Sequence, residues 1–248
     1  MKLFAAIASL FLLPSLQSGE VIETSPAKDV LEESGPELAI FAFAAWDSRY
    51  AAEGRDMLSG EGLSSFTLEA EYGGFLFGAW LANSKGADYQ EQNYFVEYGF
   101  DLFGLEAYVS YTHLRFQSDH AEDNEIGASL AAPDLLFGLT PSLDWYYSLS
   151  AEGSFFEASL GKEFLVCDQL ILAPALVFGF NDGYIADGHS GANHLALQLA
   201  AVYQIAENVA LEAYIAQTLA IDPDSTNFAD DAQLKDFFYG GVGISVSF

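Results

Sequence analysis

The chain has 248 residues, enough for one domain, either a single barrel or a large soluble α/β unit. Its formal charge of −28, from eight basic against thirty-six acidic residues, excludes nucleic acid and other polyanions as main partners. Yet 51% of the residues are hydrophobic and 15% aromatic, so the acids must be segregated from a large apolar face.

In chain order, Lys2 gives a short positive start, Leu3 to Leu13 an apolar run, and Pro14 and Ser15 a break. Ser18 or Gly19 offers a small residue for cleavage, so residues 1–18 read as a secretory signal peptide. The apolar run is about eleven residues, against the roughly twenty that a membrane-spanning helix needs. The single cysteine, Cys167, cannot form an intramolecular disulfide, so burial and the backbone ladder must hold the fold. Residues 19–36, with Pro26 and Pro36, lack periodicity and read as a flexible periplasmic segment.

From Glu37 to Phe248 the pattern changes to segments with period-two alternation, separated by turn residues. The expected strands are 37–48, 62–72, 74–83, 91–101, 104–116, 123–132, 136–150, 153–165, 168–181, 191–205, 208–220 and 236–248. Most are at least as long as the roughly nine to eleven residues a tilted membrane strand requires. Connections alternate in length: Gly73–Gly74, Leu102–Phe103, Pro133–Asp134, Val166–Cys167 and Ala206–Glu207 are tight, while 49–61, 83–90, 117–122, 181–190 and 221–235 are longer and polar, with Ala151–Glu152 alone short on that side. Short periplasmic turns and long outer loops are the mark of an outer-membrane barrel. The expected fold is therefore all-β, a transmembrane antiparallel up-and-down β-barrel of about 12 strands in the bacterial outer membrane.

In most strands one parity is apolar and the other polar. Phe66, Leu68, Ala70 and Tyr72 oppose Ser65, Thr67, Glu69 and Glu71; Leu195, Leu197, Leu199 and Tyr203 oppose His194, Gln198 and Gln204. Strands 37–48 and 168–181 are apolar on both parities and leave their orientation open. Ten acids fall on the polar parity and are expected to line the lumen: Glu69, Glu71, Glu97, Asp101, Glu106, Glu125, Asp144, Glu157, Glu163 and Glu212. Facing lipid would cost on the order of 2–4 kcal/mol for Arg or Lys at the midplane, less for an acid. No base is expected inside; Lys162 falls on the outward parity, where its stem can snorkel. A soluble barrel with the two faces exchanged would show the same alternation; loop asymmetry and strand length argue against it.

Trp46, Tyr50, Trp80, Tyr147 and Phe180 are expected in an outer aromatic girdle, and Tyr72, Phe100, Phe164, Tyr203 and Phe248 in an inner one. The terminal Phe248, closing an amphipathic strand, resembles the C-terminal signal read by the barrel-assembly machinery.

Ser48-Arg49-Tyr50, Gly54-Arg55, Gly74-Phe75-Leu76-Phe77-Gly78-Ala79-Trp80, Tyr98-Gly99-Phe100 and Gly153-Ser154-Phe155-Phe156-Glu157 resemble the TorF-type porin family of outer-membrane barrels. The resemblance runs from residue 45 to about 205. It implies a porin-like barrel and supplies no catalytic or binding residue.

A membrane hydrolase would need a Ser and a His side by side. His113 lacks such a partner in Ser110 or Ser118, and the adjacent His189 and Ser190 would point to opposite faces; no enzyme is expected. The acidic run at Asp222, Asp224, Asp230 and Asp231 lacks the glycine and bidentate glutamate of a calcium loop, so no metal or cofactor is expected, and a solvated loop is favoured over weak divalent-cation binding. Arg49, Arg55, Lys85 and Arg115 are the candidates for lipid or lipopolysaccharide phosphate.

Twelve strands fall between the barrels that side chains fill and those that leave an open pore. The expected function is passive diffusion of small hydrophilic solutes through an acidic, cation-preferring lumen, constricted by Tyr108, Tyr146, Phe155, Tyr214 and Tyr239. The alternative is a closed structural or adhesive barrel acting through its acidic outer loops.

Overall fold

Alternating side chains leave each strand with one oily and one polar face, and the backbone then pairs with its sequence neighbours until the sheet closes on itself. The computed structural model describes residues 38–133, 135 and 137–248; the expected signal peptide and N-terminal segment lie outside them. The barrel strands are β1 (Ala39–Asp47), β2 (Leu63–Tyr72), β3 (Phe75–Ser84), β4 (Tyr89–Leu102), β5 (Leu105–Phe116) and β6 (Ala121–Ala131), followed by β7 (Thr140–Ser148), β8 (Gly153–Gly161), β9 (Leu170–Asp182), β10 (Gly191–Ala206), β11 (Val209–Ala220) and β12 (Phe237–Ser247). Each pairs antiparallel with the next, and β1 pairs with β12 to close the barrel.

The strand expected at 153–165 is interrupted. β8 ends at Gly161, and after Lys162 and Glu163 the short strand Phe164–Cys167 continues its pairing along β9. Glu163 lies in the break and is exposed, but the pairing register is the same on either side, so it keeps the inward parity of Gly161 and Leu165, which pair with Ala175 and Ile171. The turn follows at 168–169, two residues beyond its expected place.

Register fixes the faces. Phe43 of β1 opposes Ser245 and Thr67, so Phe41, Phe43, Ala45 and Asp47 point inward and Ile40, Ala42, Ala44 and Trp46 outward. Val177 of β9 opposes Ser159 and Ala196; Ala173, Ala175 and Val177 are buried inside, while Leu176, Phe178 and Phe180 are exposed. The outside is a continuous apolar surface carrying Phe66, Leu68, Phe77, Leu81, Leu143, Leu197, Leu199, Ile215 and Val242. An apolar belt on a closed barrel is stable only against hydrocarbon, and the chain is accordingly a bacterial outer-membrane β-barrel.

Two girdle assignments are overturned. Trp80 is 5% and Tyr50 3% exposed, and both pack inside the barrel with Leu63, Leu76 and Phe95. Trp80 shares the inward parity of β3 with Leu76, Gly78 and Ala82. Gly78 keeps that wall thin, since a Cβ there would lie 2.0 Å from Cζ of Phe95.

Candidate functional site: an inserted loop in the barrel mouth

The long connections sit at one end: L1 (48–62), L5 (183–190) and L6 (221–236) are the largest, with L2 (85–88), L3 (117–120) and L4 (149–152) short. L1 does not stand in solvent. It forms a small hairpin, Ala51–Ala52 against Arg55–Asp56, that enters the barrel. Tyr50 packs on the wall of β2 to β4 through Leu63, Trp80 and Phe95, whereas Ala51 packs on β11 and β12 through Ala216, Phe237 and Tyr239. At the tip, Gly54 adopts φ +72° and lies against His194 of β10; a Cβ there would sit 2.5 Å from the imidazole Cγ. Glycine is required twice over, for the left-handed backbone and for the contact.

L6 extends this hairpin. Arg55 bridges Leu234 antiparallel, and the Asp56 N–H donates to the Gln233 carbonyl at 3.2 Å. L5 joins through the Asp230 N–H, which donates to the Asp187 carbonyl at 3.1 Å.

Arg55 holds the three loops and β10 together. Its side chain is 1% exposed; Nη2 meets Asp231 Oδ1 at 3.0 Å, Nη1 donates to Asn193 Oδ1 at 2.8 Å and to the Glu53 carbonyl at 3.0 Å. Asn193 in turn donates to the Glu53 carbonyl at 2.7 Å and to His194 Nδ1 at 3.0 Å, so both hydrogens of its amide are used while its oxygen accepts from Arg55. Asp231 also accepts from the Asp224 N–H at 2.9 Å and from His189 Nδ1 at 2.6 Å. Burial lowers the guanidinium of Arg55 from its ordinary value, opposed by Glu53 and Asp231. For Asp231, burial acts upward but the bonds from Asp224 and His189 outweigh it, leaving its carboxyl below the usual range. The expectation that no base lies inside is therefore corrected, and Arg55, sealed in this pair, is not available to lipid phosphate.

Other loop acids are similarly engaged. Asp56, 0% exposed, pairs with Arg49 and meets Lys235 Nζ at 3.4 Å. Asp224 accepts from Asn227 Nδ2 at 2.6 Å. Glu53, at the L1 tip, extends among the inward acids. Burial pushes its carboxyl up to about 7, with Glu91 adding to the rise and Arg55 opposing it. Tyr184 of L5 donates to Glu125, and burial followed by that charge raises its phenol.

Of the ten acids expected inside, Glu69, Glu97, Asp144 and Glu157 are buried on the inward parity, with Glu71, Glu106, Glu125 and Glu212 half-buried there. Asp101 is exposed at the turn end, where Oδ1 accepts from the Gly104 N–H at 3.1 Å. Asp144 and Glu157 are opposed across β7 and β8, and Tyr108 donates to Asp144 at 3.4 Å. Among the expected constricting rings, Phe155 is fully buried and Tyr239 nearly so, while Tyr108, Tyr146 and Tyr214 are half-buried. Asp47 and Glu91 were not anticipated. Asp47 accepts from Tyr214 at 2.7 Å, and Glu91 accepts from Tyr50 at 2.8 Å and Asn93 at 2.8 Å. Glu91 shares its parity with Asn93 and Glu97, a signal the sequence did carry.

The insert is lopsided. Inward residues of β9 to β12 under the loops are sealed, including Val177, Ala196 and Ala216, whereas Ser110, Thr112, Glu125 and Tyr146 on β5 to β7 keep partial exposure. Neither candidate histidine faces a serine: His113 Nδ1 lies 2.9 Å from Asn124 Oδ1, and His189 contacts Asp231 and the Ala192 carbonyl.

No family model matches the chain, and no curated protein is similar to it in sequence. The TorF-type resemblance accordingly rests on the residues quoted for it. Solved structures share the fold. The KdgM porin aligns at TM-score 0.57 with 9% identity, covering 85% of this chain and 99% of that one. A KdgM porin in complex with disordered oligogalacturonate aligns at 0.56 with 8% identity over 85% and 99%. The NanC porin aligns at 0.56 with 9% identity over 84% and 98%. At the level of fold, the chain is a porin-like twelve-stranded outer-membrane barrel.

Proposed function

We propose that the barrel is a passive, non-enzymatic diffusion channel for small hydrophilic solutes, with an interior that prefers cations. The observation that carries this reading is the inward set Glu69, Glu71, Glu97, Asp144, Glu157 and Glu212, against which the buried base Arg55 is already paired with Asp231. A carboxylate-lined passage with low-dielectric walls concentrates counter-ions and repels anions. The partially exposed wall of β5 to β7 is the path the solute would follow. One KdgM structure carries an oligogalacturonate; an interior of this sign would disfavour an anionic ligand.

Reversal potentials in planar bilayers under a potassium chloride gradient test this. Cation preference at neutral pH, reduced in Glu97→Gln, supports the reading; anion preference refutes it.

The depth of the L1 insert and the sealing of Phe155 favour a second reading, a closed structural or adhesive barrel acting through its acidic loops. Liposome swelling separates the two: sugar entry requires a pore, and no swelling at high protein density means a plug. Outer-membrane lipid and lipopolysaccharide are the proposed surroundings in either case, with assembly through recognition of Phe248.

A further inference from the structure

Among the described residues, the buried side-chain atoms without a hydrogen-bond partner are all oxygens: Glu71 Oε2, Asn93 Oδ1, Glu97 Oε2 and Gln198 Oε1. An interior short only of donors is matched by a ligand that brings N–H groups and positive charge.

Two of these oxygens belong to one pairing row. Glu71 of β2 opposes Leu76 of β3, which opposes Glu97 of β4. The two acids therefore flank Leu76, with Cα atoms two strand spacings, about 9–10 Å, apart. Glu69 precedes Glu71 on the same face of β2, about 7 Å away along the strand. All three point inward; Glu97 is 3% and Glu69 8% exposed, and Glu71 is half-buried, two residues before the Gly73–Gly74 turn. The group lies near the short-turn mouth, opposite the inserted loop, with Glu71 as its accessible edge.

No base of the described residues meets these carboxylates. Arg49, Arg55 and Lys235 are tied to Asp56 and Asp231 at the loop end, and Arg115 pairs with Glu122 beside L3. Lys85 lies in L2, and Lys162 donates to the Phe137 carbonyl from the outward parity. The walls between the acids are apolar. Leu76 is buried, Phe41 of β1 directly opposes Glu69, and on the other side of Glu69 the Phe95 ring fills the space that Gly78 leaves free.

That combination discriminates among cations. A bare metal ion needs oxygens closing to about 2.0–2.6 Å around it. Among the described residues no three ligating side chains are arranged to do so. A primary ammonium carries three donors and no acceptor, and it meets carboxylate oxygens at about 2.7–2.9 Å. Its alkyl body finds Leu76 beside it, and the ring of Phe41 offers its face to the charge.

We infer that Glu69, Glu71 and Glu97 form a binding site for primary alkylammonium solutes, the ammonium held among the carboxylates and the alkyl body against Leu76 and Phe41. The inference rests on the diffusion reading and deepens it by naming the class of solute.

Calorimetric titration of the folded barrel in detergent with butylammonium chloride, at constant chloride, reads the site without any current. Saturable binding is expected. Tetramethylammonium, equal in charge but without N–H groups, should bind about tenfold more weakly or worse. Glu97→Gln and Glu71→Gln each remove one charge-assisted bond and should weaken butylammonium about tenfold or more. Glu212→Gln removes an inward carboxylate from β11, away from the site, and should leave the affinity nearly unchanged. Heat-modified electrophoretic mobility verifies that each variant is a folded barrel, and the half-buried Glu71 supplies the answer if Glu97→Gln does not fold. Absence of saturable butylammonium binding overturns the inference, as does equal affinity for tetramethylammonium. An equal loss in Glu212→Gln overturns it too, because the summed charge of the lumen would then account for binding. Cation-selective current without butylammonium binding removes the site and leaves the channel reading standing; binding without current keeps the site and removes the channel.

Discussion

Arg55 Nη2 and Asp231 Oδ1 lie 3.0 Å apart across 176 positions of chain, joining the first outer loop to the last in a pair sealed from solvent. The pair ties the insert to the last loop of the barrel mouth. Removing one partner strands the other's charge in a dry site, at a cost of about 3–5 kcal/mol for a buried pair.

Arg55→Met is therefore expected to loosen L1 and L6 without unravelling the sheet. Hydrogen exchange should quicken across 221–236, while amides of β10 and β11 keep their protection. Unchanged exchange in L6 would mean that the pair does not hold it.

Gly54→Val places a β-branched side chain at φ +72° and against the His194 ring, where even a Cβ would be 2.5 Å from Cγ. The backbone strain alone is about 1–3 kcal/mol. The hairpin tip should leave its seat and expose Trp80, whose ring lies tilted to that of Tyr50 at 6.4 Å between ring centres. Quenching of Trp80 by neutral acrylamide, with Trp46 and Trp145 replaced by Phe, should increase; quenching equal to that of the parent would count against this placement.

The Glu53 carboxyl gives a signed pH dependence. Seated L1 holds its proton up to about 7, through burial first and Glu91 second, whereas a released loop titrates near the ordinary 4.5. An acid raised in the seated state supports seating fully below its free value, and that support disappears as pH climbs through the raised one. Trp80 quenching should therefore grow between about 4.5 and about 7 and flatten beyond it, and Glu53→Gln should remove this part of the transition. The same titration curve in wild type and Glu53→Gln would assign the transition elsewhere.

Leu197 and Ser110 face opposite sides of the wall, lipid and interior. Leu197→Arg should cost up to about 2–4 kcal/mol near the midplane, and Ser110→Arg far less, since its charge meets an acidic, partly wet interior. Folded fractions in lipid vesicles, read by the heat-dependent gel shift, compare them. Equal losses would contradict the assignment of faces.

The fold was legible because each strand carries its own evidence. In β2, β4, β10 and β12 one parity is oily and the other polar, and neighbouring strands pair in sequence order, so local alternation suffices to place most of the wall. It failed where both parities are apolar. In β3, Phe75, Phe77 and Leu81 face lipid, but Leu76 and Trp80 are apolar for another reason: Tyr50 of L1 packs on them. β1 and β9 were ambiguous in the same way, and only the register with their neighbours assigned them.

The sequence by itself determined an outward-oily, inward-acidic barrel with long loops at one end, because a two-residue period is written into most of its strands. Whether those loops stand in solvent or fold inward was decided only in three dimensions. Ser48-Arg49-Tyr50 and Gly54-Arg55 read as an ordinary polar loop, and Asp231 as one more solvated acid. Their burial depends on a guanidinium, a carboxylate, an imidazole and an amide drawn from three separate stretches of chain. No local pattern encodes such a meeting, since its energy exists only once desolvation and pairing occur together.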